Sequence, residues 1–194
     1  NKTFRVFHMI DGLKLIGLNG ELVDAVDVNR LELLKGYEKL FSSRAYIWSV
    51  SIPMLKDYIW IGAGPDMYPI AFNQNDFVGI ANGYMTNTIV DKPHNMYIQI
   101  GINTGILSLL ALFAAFIVVI VKLSISTFKS KGEDLSDYFS VGVLVALIAY
   151  LATSFFNDQM ISIAPLFYIC LGLGLAIVEN RKKSSTIIDK EINY

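Results

Sequence analysis

Apolar and polar positions fall into two regimes along this chain. No charged residue lies between His94 and Lys122, and Tyr138 to Phe156 and Met160 to Val178 are likewise uncharged. At ~1.5 Å rise per residue, the stretch behind His94 is more than long enough to cross a hydrocarbon core of about 30 Å. The pattern predicts spanning helices over 96–121, 138–156 and 160–178. A loop at 122–137, a tight turn at 157–159 and a tail at 179–194 connect or follow them. Lys122, Lys129 and Lys131 follow the first run and Arg181-Lys182-Lys183 the third, so the positive-inside rule makes those ends cytoplasmic. Residues 1–95 and the Asn157 turn are then expected outside.

The segment 1–95 mixes polar and apolar residues at shorter range. Val6 to Ile10 and Leu13 to Leu18 flank Asp11-Gly12, which fits a hairpin, yet Val6, Ile10, Leu13 and Gly17 also fall at helical spacing, and both readings stay open. From Asp24 on, Val28, Leu31, Leu34, Tyr37 and Phe41 recur at threes and fours between charged residues, which predicts an amphipathic helix. Ser42-Ser43 offers an N-cap for a second helix from Arg44 to about Lys56, bent or broken at Pro53. Residues 66–92, rich in Asn, Asp and Gly, read as a long loop. The fold class expected is an all-α polytopic membrane protein: a large extracytoplasmic, mostly helical segment followed by three transmembrane helices.

Composition agrees with this division. Hydrophobic residues make up 54 % and the mean hydropathy is +0.48, high for a soluble domain. A net charge of -1, from 16 basic and 17 acidic residues, gives no reason to expect nucleic acid as a partner. Cys170 is the single cysteine and only His8 and His94 are histidines, so neither a disulfide framework nor a metal cluster is expected. The chain opens at Asn1 without a signal-peptide pattern, and further membrane helices upstream are the expectation.

The candidate chemistry centres on two residues. His94 follows Pro93 at the expected mouth of the first span, where unpaired helix N–H groups and the positive dipole end favour anions and a neutral imidazole. Arg44 and Trp48 are four apart and share a helix face. Ser43-Arg44-Ala45-Tyr46-Ile47-Trp48, then Gly62-Ala63-Gly64, then His94-Asn95-Met96-Tyr97 leading to Gly101 and Gly105, resembles the O-antigen ligase and polymerase-like superfamily of bacterial envelope polysaccharide enzymes. The resemblance covers roughly residues 40–121. One departure is Ile59, where such proteins usually carry proline before the glycine turn.

The resemblance implies a glycosyltransferase in the bacterial inner or plasma membrane that needs neither cofactor nor metal. It would pass an undecaprenyl-diphosphate-linked oligosaccharide donor to a glycan acceptor, surrounded by membrane lipids. His94 and Arg44 are the implied catalytic pair, as proton acceptor and diphosphate-holding cation. Arg30, Trp48 and Asn95 are the candidate substrate contacts. Bland roles compete: Trp48 and Trp60 as interface anchors or core, Gly62 and Gly64 as turn formers, and Gly101 and Gly105 as a small-residue packing pair. The competing reading of the whole is a non-catalytic polytopic membrane protein, a transporter piece or an inactive truncated paralogue.

Overall fold

The computed structural model describes residues 6–9, 12–16, 22–24, 28–76, 79–80, 83, 88–130, 132, 134–160 and 162–192, with the strands and residues 185–192 described by backbone alone. The chain divides into two compact units, Asn1–Ser108 and Leu109–Tyr194. The expected helical architecture with three membrane-length helices is present, and a small sheet precedes it.

Strands β1 (Val6–Met9), β2 (Gly12–Ile16) and β3 (Leu22–Asp24) form an antiparallel sheet in that order. Met9 faces Gly12 and Val6 faces Leu15, while Ile16 faces Leu22. Of the two open readings of this stretch the hairpin holds: a helix here would be short, and Gly12 and Gly17 would each cost it about 1 kcal/mol.

The amphipathic helix expected from Asp24 to Phe41 does not form in the described part of that stretch. Only a 3-10 turn, Glu32–Leu34, appears, followed by further turns to Ser43. Gly36 takes φ +86°, which no right-handed helix contains, and the amide of Leu31 goes outward to the carbonyl of Ser49 (2.7 Å) instead of inward to its own turn. The apolar stripe is therefore split: Val28 packs against the core, while Tyr37 and Phe41 stay more than half exposed.

Helix α1 (Arg44–Met54) carries Pro53 in its last turn and runs on into a 3-10 turn, Leu55–Tyr58. Proline has no N–H, so the carbonyl four residues back, that of Ser49, loses its helical partner. The Leu31 amide fills that place. Tyr46, Ile47 and Val50 of α1 pack with Tyr68 and Phe72 around helix α2 (Tyr68–Ala71), and with Ile98 and Ile102 of helix α3 (Met96–Thr104). The stretch 66–92, expected as a long loop, is pinned in its described part by Gln74. Its amide nitrogen donates to the carbonyls of Pro69 (3.0 Å) and Val90 (2.8 Å), and its oxygen accepts from the Val90 amide (3.1 Å).

The single helix expected over 96–121 is two. α3 ends at Thr104, Gly105 sits at φ +97°, and helix α4 runs Ile106–Lys129. Within Leu109–Tyr194, α4 is followed by α5 (Leu135–Thr153) and α6 (Ala164–Ile192). Phe116, Val119 and Leu123 of α4, Val143 and Leu147 of α5 and Phe167 of α6 are buried, and Phe167 stacks on Tyr150 with ring centroids 4.2 Å apart. The outer faces of all three helices expose large apolar residues such as Ile117, Val145 and Ile169. Such faces suit lipid, since a bilayer asks only that the backbone be satisfied internally.

Candidate functional site

Arg44 opens α1 directly after Phe41, Ser42 and Ser43, whose φ values of 54°, 57° and 67° are all left-handed. Such backbone costs roughly 1–2 kcal/mol per residue. The expected side-chain cap is not made. Ser43 occupies the N-cap position without bonding through its hydroxyl, and the amides of Arg44, Ala45 and Tyr46 are taken by the carbonyls of Phe41, Leu40 and Glu38, each at 3.3 Å. The left-handed turn thus uses up the helix's own first donors, and positive charge at this end comes from the Arg44 side chain. Its Nη1 lies 3.5 Å from the Phe41 carbonyl, near the limit of a hydrogen bond, while its buried Nε has no hydrogen-bond partner among the described residues.

One turn further, Trp48 donates its indole N–H to the carbonyl of Pro93 at 2.8 Å, and its ring leans on Phe41 at 5.7 Å. The face of α1 that carries Arg44 is thereby tied to the peptide that leads into His94. His94 itself is left-handed at φ 49°, half-buried, and immediately precedes the N-cap of α3. Strained non-glycine backbone of this kind persists where surrounding structure holds it, often at functional sites.

Two expected substrate contacts have other work in the structure. Asn95 is the cap of α3: its Oδ1 accepts from the amides of Tyr97 and Ile98, both at 3.0 Å, so those helix donors, expected to point outward unpaired, are occupied. Arg30 is committed to Asp76, with Nη2 at 2.7 Å from Oδ1 and 2.5 Å from Oδ2, and its guanidinium lies 5.3 Å from the centre of the Tyr46 ring. The Tyr46 hydroxyl donates to Asp76 Oδ2 (2.9 Å) and the Gly79 amide to Oδ1 (2.9 Å), which leaves the Asp76 side chain 3 % exposed. Burial, and then the Asp76 charge, push the Tyr46 phenol far above the ordinary tyrosine range. Asp76 was not singled out in the sequence because it sits in a polar run, Asn73-Gln74-Asn75-Asp76, that resembles any solvated loop.

The Gly62-x-Gly64 segment closes the end of α3. The amides of Ala63 and Gly64 donate to the carbonyls of Ile102 (2.7 Å) and Asn103 (3.0 Å), which the break at Gly105 would otherwise leave open. The Leu107 amide, freed by the same break, reaches the carbonyl of Ile59 at 3.3 Å. A Cβ on Gly62 would stand 2.2 Å from the Asn103 backbone, so close approach, rather than an unusual φ, demands glycine there. Ile59, the departure from the resembled pattern, has φ -67°, the value proline enforces. Gly105 is therefore a helix break and not half of a packing pair.

Among the described residues no group of three or more His, Cys, Asp or Glu is placed to hold a metal ion. The sequence model of the O-antigen ligase family matches residues 6–113, more than half of the chain, and takes in the sheet, α1, the His94 turn and α3. No curated protein and no solved structure matches the chain. With three helices long and apolar enough to span a bilayer, this is a membrane protein, and the chain belongs to the O-antigen ligase family.

Proposed function

We propose that the protein is a glycosyltransferase of surface polysaccharide assembly, a ligase or polymerase that moves an oligosaccharide from an undecaprenyl-diphosphate donor to a sugar hydroxyl on a glycan acceptor. In this reading the acceptor oxygen bonds to the anomeric carbon of the donor sugar. The bond from that carbon to the diphosphate breaks, and polyprenyl diphosphate leaves with the electron pair. The acceptor proton passes to the imidazole of His94, and the Arg44 guanidinium holds the diphosphate as its charge grows, without a metal.

The observation that carries the reading is the buried Nε of Arg44, without a hydrogen-bond partner among the described residues, on a helix face that Trp48 fastens to the peptide before His94. A guanidinium with unused donors at a fixed place suits the several oxygens of a diphosphate. Trp48 acts here as a positioning residue, and Arg30 and Asn95 support the site through Asp76 and the α3 cap. Basic residues in the last turns of α4 and directly after the apolar part of α6 argue for a cytoplasmic C-terminus in the bacterial inner or plasma membrane, which puts His94 on the far side, where a flipped lipid-linked donor waits.

The test is His94→Ala in the native polypeptide, assayed in membranes for transfer of lipid-linked glycan. Loss of about 100-fold or more with normal membrane insertion is expected, the range of a lost general base. Transfer at the normal rate would remove His94 from the chemistry, whereas absence of transfer by the unsubstituted protein would favour a non-catalytic membrane protein.

A further inference from the structure

The C-terminal unit holds a second feature that the glycosyl-transfer reading does not use. A groove of about 620 Å³ opens between the last turns of α4 and the middle of α6. Lys122 and Lys129, two helical turns apart, bring α4's charges to it, and Arg181 and Lys182 bring those of α6. Among the described residues, Glu179 is the one carboxylate on its lining.

The Arg181 side chain is built into the wall. Its Nη1 donates to the carbonyl of Ser126 (3.0 Å) and to the Ser126 hydroxyl (3.2 Å), and its Nη2 to Asp137 Oδ1 (2.6 Å) and the Ser140 hydroxyl (3.1 Å). It thereby covers a carbonyl near the negative end of α4 that would otherwise repel an anion. Lys122 and Lys129 remain as the mobile charge of α4. Lys122 and Lys129 are exposed, and no described carboxylate pairs with either.

Beside these charges the same helix is apolar and uncovered: Ile125 is 51 % and Phe128 83 % exposed. Cations at a span's end, next to an apolar wall, match a ligand with an anionic head and hydrocarbon tails. A free phosphate would use only half of that surface.

We propose that this groove holds the phosphate of an anionic phospholipid, with Lys122, Lys129 and Lys182 around the headgroup and the acyl chains along Ile125 and Phe128. The site is separate from the glycan chemistry and does not depend on it.

The test uses the full chain, stripped of lipid in detergent and then offered phosphatidylglycerol, phosphatidylcholine or inorganic phosphate, with retained ligand read by native mass spectrometry. Phosphatidylglycerol should be retained and phosphatidylcholine not. The double substitution Lys122→Gln/Lys129→Gln should weaken retention roughly 30-fold, the effect of two surface lysines on an anionic lipid. Glu179→Gln, which removes the opposing charge, should strengthen it, a gain that a misfolded variant could not produce. Equal retention of the two lipids, or undiminished phosphatidylglycerol on the double variant, would overturn the proposal. Displacement of phosphatidylglycerol by millimolar inorganic phosphate would also overturn it, by making this a soluble-anion site.

Discussion

The two units of this protein are held by different physics. In Asn1–Ser108, helices end early and backbone amides find partners far away in sequence: Leu31 on the Ser49 carbonyl, Ala63 on the Ile102 carbonyl, Val90 on the Gln74 side chain. In Leu109–Tyr194, long helices satisfy their own backbones and pack through side chains such as Phe116, Leu147 and Phe167. Polar substitutions and added methyl groups should therefore injure the first unit, while the second should respond mainly to lost apolar volume. Function, as proposed, sits in the unit built from borrowed hydrogen bonds, where strained residues can be held.

The sharpest way to break this contrast is at Arg44. Arg44→Lys keeps the charge but loses the fork, and glycan transfer should fall about 100-fold with unchanged hydrogen-exchange protection in α5 and α6. Full activity would reduce Arg44 to a helix-end residue. Next in size is Asp76→Ala, which strands the Arg30 guanidinium and the Tyr46 hydroxyl. A loss of about 3–5 kcal/mol is expected, read as early denaturant-induced exchange in α1 and α3 while the spanning helices stay protected. If both units unfold together, they are not independent in stability.

Glycines give a matched pair. Gly62→Ala should cost about 1–3 kcal/mol, since the Asn103 backbone stands in the way. Gly142→Ala, with nothing within 4 Å of the new methyl, should be neutral or slightly stabilising in a thermal melt. Trp48→Phe removes the indole donor to Pro93 and part of the ring packed against the core, the lost hydrogen bond alone amounting to about 1 kcal/mol of stability. If that bond positions the His94 turn, kcat should drop while KM stays near normal.

The smallest effect is in pH. The Tyr46 phenol is raised in the folded state, so its contribution is complete below the unfolded tyrosine value of about 10 and is lost as pH climbs above it. A difference titration at 295 nm against Tyr46→Phe should show no tyrosinate from this residue until the fold gives way. Ionisation near pH 10 in the native state would mean that Tyr46 is not buried against Asp76.

What could be read from the sequence follows the same division. Spanning helices depend on length and local apolarity, so the charge-free runs 96–121, 138–156 and 160–178 mark the three membrane-length helices Ile106–Lys129, Leu135–Thr153 and Ala164–Ser184, though not their ends. The order Arg44, Trp48, Gly62-x-Gly64, His94-Asn95 carried the family. Asn95 as a cap and Arg30 as an ion-pair partner were hidden, because each depends on a contact set by tertiary structure. The helix expected from Asp24 failed because periodicity ignores what Gly36 does to the backbone and where the Leu31 amide can go. Gly105 looked like half of a packing pair, and only its φ shows a chain break.

Pro53 has one more lesson. By withholding an N–H, it turns the Ser49 carbonyl into a reserved seat, and the seat is occupied by a segment 18 positions upstream of that carbonyl. Exchanging the proline for alanine would raise intrinsic helix propensity and at the same time introduce a rival donor for the same oxygen. An engineer who scores helices one at a time would choose that substitution first, and would unfasten the N-terminal arm from the element that bears the arginine.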